Sequence, residues 1–294
     1  HRHGTHDTEA MKTLTLALLA AMTASSGGAQ VPLTLDTSFR CTRFVNGSLA
    51  DNLPLADGSV IAIGAYTSID NIFGTRNWFR FLPNGDIDES WPPGAGIGLI
   101  YSFGSYYYLS GTLQRYSQTT GEHDTFWPID YPMPSINFGN TGNMAILPDG
   151  KILHVGESWL QEQCGVNAPS HYSLWRFNVD GSLDSTYQWR KTDGVIWTIQ
   201  PTAQGRFLLS GVYNIYEGLP EGRILRIWPD GSLDSTFRTD IIKGYAQCLV
   251  EQPNGRILTG GQFVFPNDPD TLHLIRLMPD GALDTTFNNH AEYK

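Results

Sequence analysis

Cysteine, positive charge and long apolar runs are all scarce in this chain, and each shortage removes a class of function. The three cysteines, Cys41, Cys164 and Cys248, fit no zinc spacing, and an odd number cannot pair completely. Cys248 lies in the apolar run "AQCLV" and is expected inside a core strand; Cys41 and Cys164 fall in loops, where a disulfide or two thiols are both compatible. Lys and Arg number 19 against 29 Asp and Glu, a net charge of −10. That balance excludes a broad phosphate-binding surface, so no nucleic-acid partner is expected. No His-Glu-x-x-His, Gly-x-Ser-x-Gly or nucleotide-loop pattern occurs, and His123, His154, His171, His273 and His290 are scattered without ligand spacing. The sequence therefore assigns no catalytic residue, no metal site and no cofactor.

The main apolar run sits near the N-terminus. Residues 11–29, within "MKTLTLALLAAMTASSGGAQ", have the form of a secretory signal peptide. Lys12 supplies the positive start, and Leu14 to Met22 an apolar stretch too short to span a bilayer. Gly27 and Ala29 are the small residues that cleavage before Gln30 requires. The mature chain, residues 30–294, is then secreted, periplasmic or held at the cell surface, with no insertion into the membrane. Residues 1–10, "HRHGTHDTEA", read as an upstream extension that is not native. Their "RHGTHD" resembles the RHGxRxP motif of histidine acid phosphatases, but His6 replaces the arginine and the proline is missing.

What the chain does have is one charged pattern, used repeatedly. "RIWPDGSLDSTF" (226–237) has counterparts in "RFLPNGDIDESW" (80–91), "RYSQTTGEHDTFW" (115–127), "RFNVDGSLDSTY" (176–187) and "RLMPDGALDTTF" (276–287), with a half-copy "LDTSF" at 35–39. Each pairs an arginine with a later aspartate: Arg80 and Asp88, Arg115 and Asp124, Arg176 and Asp184, Arg226 and Asp234, Arg276 and Asp284. An aromatic follows, at Trp91, Trp127, Tyr187, Phe237 and Phe287. The pattern recurs at intervals of roughly 50 residues, a period that indicates propeller-type arrays. Ahead of each copy lies a second shared piece, such as "PTAQGRFLLSGVY" (201–213) and "EQPNGRILTGGQF" (251–263).

β-rich apolar runs flanking Asp-Gly and Asn-Gly signals predict four strands per unit, joined by tight hairpins. A three-residue turn at Pro229-Asp230-Gly231 sets Trp228 opposite Ser232, Ile227 opposite Leu233 and Arg226 opposite Asp234. The charges thus read as structural cross-strand pairs rather than five active sites. Asn84, Asp86 and Asp88 have the alternate spacing of a calcium loop, but the glycine is misplaced and Asp88 belongs to a pair. The fold class is all-β: a β-propeller of five four-stranded blades, or part of a larger propeller, with repeats ending near 91, 127, 187, 237 and 287.

The pattern "DGKIL–GG–F … R–L–PDGSLD–TF" resembles the delta-60 repeat family of secreted bacterial β-propellers, over residues 35–287. The resemblance implies a fold and brings no catalytic set.

Long, dissimilar segments between the tight hairpins are the natural place for binding. They contain the candidate ligand residues Tyr131, Glu157, Trp159 and Glu162, and a second group at Tyr216, Glu217 and Glu221. Tyr66, Tyr213 and Phe263 recur at one repeat position and belong to the core. The reading that follows is a non-catalytic binding or surface scaffold module for a glycan or a cell-surface protein. The alternative is an extracellular glycan hydrolase or lyase using the loop acids Glu157, Glu162 and Glu217.

Overall fold

The chain divides into two compact units, His1–Phe39 and Arg40–Lys294. The computed structural model describes residues 44–45, 48–65, 68–69, 72–73, 77–92, 94, 98–111, 113–125, 127, 136–137, 144–158, 171–220, 223–266, 268 and 270–289. Residues 1–10, the signal-peptide pattern of 11–29 and the half-copy at 35–39 lie outside them, as do Cys41 and Cys164.

The turn signals fold as hairpins. Ser48–Pro54 pairs antiparallel with Val60–Ala65, Ile100–Phe103 with Tyr106–Leu109, Met144–Ile146 with Ile152–Ser158, Val195–Pro201 with Phe207–Val212, and Lys243–Glu251 with Ile257–Val264. A third strand joins each hairpin: Trp78–Phe81, Gln114–Ser117, His171–Phe177, Ile224–Ile227 and Leu272–Leu277. The described residues are thus all-β, with five such sheets, and no helix among them is long and apolar enough to cross a membrane.

Apolar positions alternate along these strands, and consecutive sheets pack through them. Ile61, Ile63 and Trp78 of the first sheet meet Ile100, Tyr107 and Leu109 of the second. Tyr108 and Trp127 of the second meet Met144, Ile152, Trp175 and Phe177 of the third. Leu153, Val155 and Leu174 join Leu209, Leu225 and Ile227 of the fourth, and Leu208, Ile224 and Phe237 join Leu249, Ile275 and Leu277 of the fifth. Sheet-to-sheet stacking of this kind gives each repeat a core only in the company of its neighbour.

The second shared piece carries a glycine for a packing reason. The first strand has a β-bulge between Ile196 and Thr198 in the fourth repeat, and between Ala246 and Cys248 in the fifth. Gly211 and Gly261 face these bulges. A Cβ on Gly211 would lie 2.0 Å from the Val195 carbonyl oxygen, and one on Gly261 2.1 Å from that of Tyr245. The same bulge corrects the expectation for Cys248. The extra residue shifts the alternation, so that Ala246 and Leu249 point inward while Cys248 is exposed, as a free thiol. Tyr213 and Phe263 are fully buried; Tyr66 lies outside the described residues.

A second correction concerns the fourth strand, which is not continuous. It begins as a one-residue bridge, at Ile87, His123, Leu183, Leu233 and Leu283. The aspartate that follows then closes an Asx turn: Thr236 N and Oγ1 donate to Asp234 Oδ1 at 3.0 and 2.6 Å, and Phe237 N donates to Asp234 O at 3.1 Å. This turn carries the chain off the ladder and drops the aromatic into the core at Trp91, Trp127, Tyr187 and Phe237, while Phe287 of the last repeat is partly buried. Pairing with the third strand resumes at Gly94 in the first repeat and over Arg190–Thr192 in the third.

The hairpin register around Gly231 is Trp228 N to Ser232 O (2.9 Å), Ile227 opposite Leu233, and Asp234 N to Arg226 O (2.8 Å), with Gly231 at φ 80°. Arg226 Nε donates to Asp234 Oδ2 at 2.6 Å; the matching distances are 2.7 Å for Arg276–Asp284, 2.8 Å for Arg176–Asp184 and 2.6 Å for Arg115 Nη2–Asp124. Arg80 differs, lying 3.5 Å from Asp88 and donating to Asp57.

Three features of these pairs are set by tertiary structure. First, the residue after the hairpin glycine adds a second cation: Lys151 reaches Asp184 at 2.8 Å, Arg206 reaches Asp234 at 3.0 Å and Arg256 reaches Asp284 at 3.3 Å. In the second repeat Tyr106, two residues after Gly104 and in the same strand register, stacks on Arg115 instead, with the guanidinium 4.0 Å from the ring centroid. Second, each terminal aromatic covers its arginine, from 4.7 Å for Tyr187 to 5.1 Å for Trp91. Third, the arginine reaches into the next repeat: Arg115 Nη1 donates to Val179 O, Arg176 Nη1 to Pro229 O and Arg226 Nη1 to Pro279 O. One guanidinium therefore closes its own hairpin and fixes the following one.

The buried titratable groups give the fold a defined acid response. Burial opposes ionisation of Asp184 and Asp234, but Lys151 and the Thr186 hydroxyl outweigh it at the first, and the Thr236 hydroxyl and Arg226 at the second. Both carboxyls are held below the usual range. Asp284 is held at about 2, chiefly by the Thr286 hydroxyl. Since these folded values are depressed, their stabilisation is complete above the unfolded value of ~3.9 and is lost as pH falls toward 2. His154 acts earlier. It is fully buried, and its Nε2 donates to the Ser110 carbonyl of the preceding repeat at 2.7 Å. Burial lowers its pKa to about 4. The unfolded chain therefore takes up this proton first, near pH ~6.5. Urea unfolding should show stability falling below about pH 6.5, at up to ~1.4 kcal/mol per pH unit for this one proton, and more steeply below about pH 4. Stability that rises between pH 7 and pH 5 would contradict the assignment.

Candidate functional site

The third repeat departs from the others just after its terminal aromatic. Gln188 and Trp189 lie in the break of its fourth strand, and Arg190–Thr192 then rejoins the sheet opposite Tyr172–Leu174. On the outer side Thr192 pairs with Tyr216, part of a hairpin formed by Ile215–Tyr216 and Leu219–Pro220. That hairpin comes from the connection between the second and third strands of the fourth repeat. A segment that reads as loop in the sequence thus extends the edge of the neighbouring sheet.

Its turn is Glu217-Gly218, with φ 53° and 80°. Two left-handed residues are what a two-residue hairpin with the right twist requires, and Asn-Gly is the usual solution. A glutamate at the first position costs roughly 1–2 kcal/mol of backbone strain. Three interactions offset it: Lys191 N donates to Glu217 Oε1 at 2.6 Å, Arg190 Nη1 lies 3.4 Å from Oε2, and Glu217 N donates to Lys191 O at 2.9 Å.

Between the hairpin turn and the strand break lies a pocket of ≈ 380 Å³ lined by Gln188, Trp189, Lys191, Glu217 and Gly218. The half-buried Trp189 stacks on buried Trp175, with centroids 5.3 Å apart and planes 17° apart. The Lys191 ammonium sits 4.3 Å from the Trp189 ring centroid. The support beneath is rigid. Tyr216 donates its hydroxyl to Gly231 O at 2.6 Å, and Arg190 Nη2 donates to Asp230 O at 3.1 Å. A Cβ on Gly231 would meet the Tyr187 hydroxyl at 2.4 Å and Arg190 Cγ at 2.9 Å, so this glycine serves the close approach of those two side chains as well as the turn. Burial drives the pKa of Tyr187 and Tyr216 far above the ordinary phenol value, which keeps both neutral. Burial opposes ionisation of Asp193, but the N–H groups of Asn214 and Ile215 hold its carboxyl low and tie the hairpin base to the strand.

Of the residues singled out from sequence, Glu217 lines this pocket. Tyr216 is buried, so it supports the hairpin and presents no ring face to solvent. Glu157 lies on the strand Ile152–Ser158, opposite Tyr172 and Asn137. Tyr131, Trp159, Glu162 and Glu221 lie outside the described residues. Sequence reasoning missed Gln188, Trp189 and Lys191. The available signal was Trp189 itself, an aromatic that follows the repeat aromatic Tyr187 and has no counterpart after Phe237 or Phe287.

Residues 147–187, 205–237 and 252–287 match the family model described as "Domain of unknown function (DUF5122) beta-propeller". Over these three stretches the chain is similar to β-propeller repeats. The matched stretches are the third, fourth and fifth repeats, those in which the aspartate has two cations. No curated protein matches significantly. Among solved structures, a protein of unknown function from Dyadobacter fermentans is similar at 11% identity and a TM-score of 0.43, over 80% of this chain and 75% of that one. The extracellular domain of a one-component system of B. thetaiotaomicron is similar at 11% identity and a TM-score of 0.38, over 85% of this chain and 36% of that one.

Proposed function

We propose that the chain is an exported β-propeller module of five repeats that binds a glycan in the pocket at Trp189. Export rests on the signal-peptide pattern of residues 11–29. The observation that carries the binding role is the pocket's make-up: a tryptophan held rigid from below, bordered by an amide, an ammonium and one carboxylate. An amphipathic aromatic with a few placed polar groups is the usual composition of a small-ligand site. The variable connections supply it, while the repeat residues are engaged in holding the sheets together.

Hydrolysis has less support at this site. A glycosidase ordinarily needs two carboxylates flanking the scissile bond. Among the described residues the pocket has Glu217 alone, and its oxygens already accept from Lys191 N and Arg190.

The test is a glycan array probed with the intact chain and with Trp189→Ala. The intact chain should bind a defined set of oligosaccharides, and the variant should bind them at least ~30-fold more weakly, as expected for loss of a buried aromatic anchor worth ~2 kcal/mol. Binding unchanged in the folded variant would reject the site. Release of reducing ends from a bound glycan would instead favour the hydrolase reading.

A further inference from the structure

Building on the glycan-binding role, we infer that the pocket selects a pyranose bearing a carboxylate, a uronate-type unit, and that Lys191 reads its charge. The pocket contains two charged side chains, in unlike situations. Glu217 is neutralised in place by Arg190 and by the Lys191 amide. Lys191 is not: among the described residues no carboxylate lies within ion-pair distance of its ammonium, which rests on the Trp189 ring. Elsewhere on the same repeat Lys151 shows the contrasting arrangement, bound to Asp184 at 2.8 Å.

An exposed ammonium placed over an indole can do two things at once. Turning away from the ring, it uncovers an aromatic face suited to the C–H face of a pyranose. In the same movement it offers three donors to an anionic oxygen. Gln188 adds an amide that can donate or accept at a hydroxyl. A neutral sugar would make the ring contact but would displace the ammonium from the indole with no new partner. A uronate provides that partner. The net charge of −10 sharpens the selection: long-range attraction for polyanions is absent, so discrimination falls to this one local contact. The pocket, at ≈ 380 Å³, lies at the small end of the ~300–1,000 Å³ typical of ligand sites, which suits a short oligosaccharide end or segment.

The experiment is calorimetric titration of the intact chain with oligogalacturonate and with the same oligomer fully methyl-esterified, which keeps the ring and removes the charge. We expect the free acid to bind at least about tenfold more tightly than the ester, as one charge-assisted hydrogen bond provides. Lys191→Met keeps the side chain's length and apolar contact with Trp189, and it should abolish that difference, so that free acid and ester bind within about twofold of each other. The side chain is exposed, so folding of this variant is expected, and an unchanged unfolding midpoint verifies it. Equal affinity for acid and ester, unaffected by Lys191→Met, would overturn the inference and leave the glycan site standing. Binding of neutral gluco-oligosaccharides with no binding of either galacturonate form would do the same. No binding of any oligosaccharide, charged or neutral, would overturn both the inference and the reading on which it rests.

Discussion

Replacing Asp234 by alanine should cost on the order of 3–5 kcal/mol, the loss expected when one partner of a buried ion pair is removed. Asp234 is 1% exposed and accepts from Arg226 Nε at 2.6 Å, Arg206 at 3.0 Å and the Thr236 hydroxyl at 2.6 Å. Its removal leaves two guanidinium groups facing each other without the anion between them. One of them, Arg226, also donates to Pro279 O at 2.8 Å and lies against Phe237. The damage would therefore spread to the junction with the fifth repeat. Denaturant unfolding measures it. Asp88→Ala is the internal control: Asp88 is less buried and 3.5 Å from Arg80, so its loss should stay near the ~1 kcal/mol of a surface pair. Equal effects at the two sites, or a loss below ~0.5 kcal/mol at Asp234, would show that the pairs do not hold the repeats together.

Gly211→Ala should also be strongly damaging, by about 3 kcal/mol, the upper end of the usual cost of overpacking, for a steric reason. The new Cβ would lie 2.0 Å from the Val195 oxygen and 2.8 Å from Ile196 Cα. Both are backbone atoms of a paired strand, so no rotamer change relieves the contact. The bulge between Ile196 and Thr198 would have to move, and with it the alternation that buries Ile196 and Ile199. Gly205→Ala separates this clash from the general effect of losing a glycine. Gly205 has φ 72°, and a methyl added there would meet nothing within 4 Å, so only left-handed strain applies, roughly 1–2 kcal/mol. If the two variants unfold at the same denaturant concentration, the close approach of the strands is not the reason the glycine recurs.

The pocket illustrates how far the sequence reaches. The logic that an aromatic recurring at one repeat position is core holds for Tyr213 and Phe263, both fully buried. Its converse, that an aromatic off the repeat pattern is free for other work, leads to Trp189. Tyr216 stands out in the sequence for its place in a variable segment. That segment folds as a hairpin on the edge of another sheet, which turns Tyr216 inward to Gly231. Strict alternation places Cys248 in the core, and a bulge one residue earlier reverses that placement.

The sequence by itself determined the repeats, the glycine-centred turns and the hairpin partner of Arg115, Arg176, Arg226 and Arg276, though not that of Arg80, which turns to Asp57. These involve residues no more than about ten apart, so turn geometry and the two-residue period of a strand suffice to place them. Only the tertiary structure decided that Arg176 and Arg226 also hold carbonyls of the next repeat, at Pro229 and Pro279, 53 residues away. It alone broke the fourth strand and brought Trp189 beside Glu217. Those contacts depend on how one twisted sheet stacks on the next, and a local pattern carries no record of that geometry.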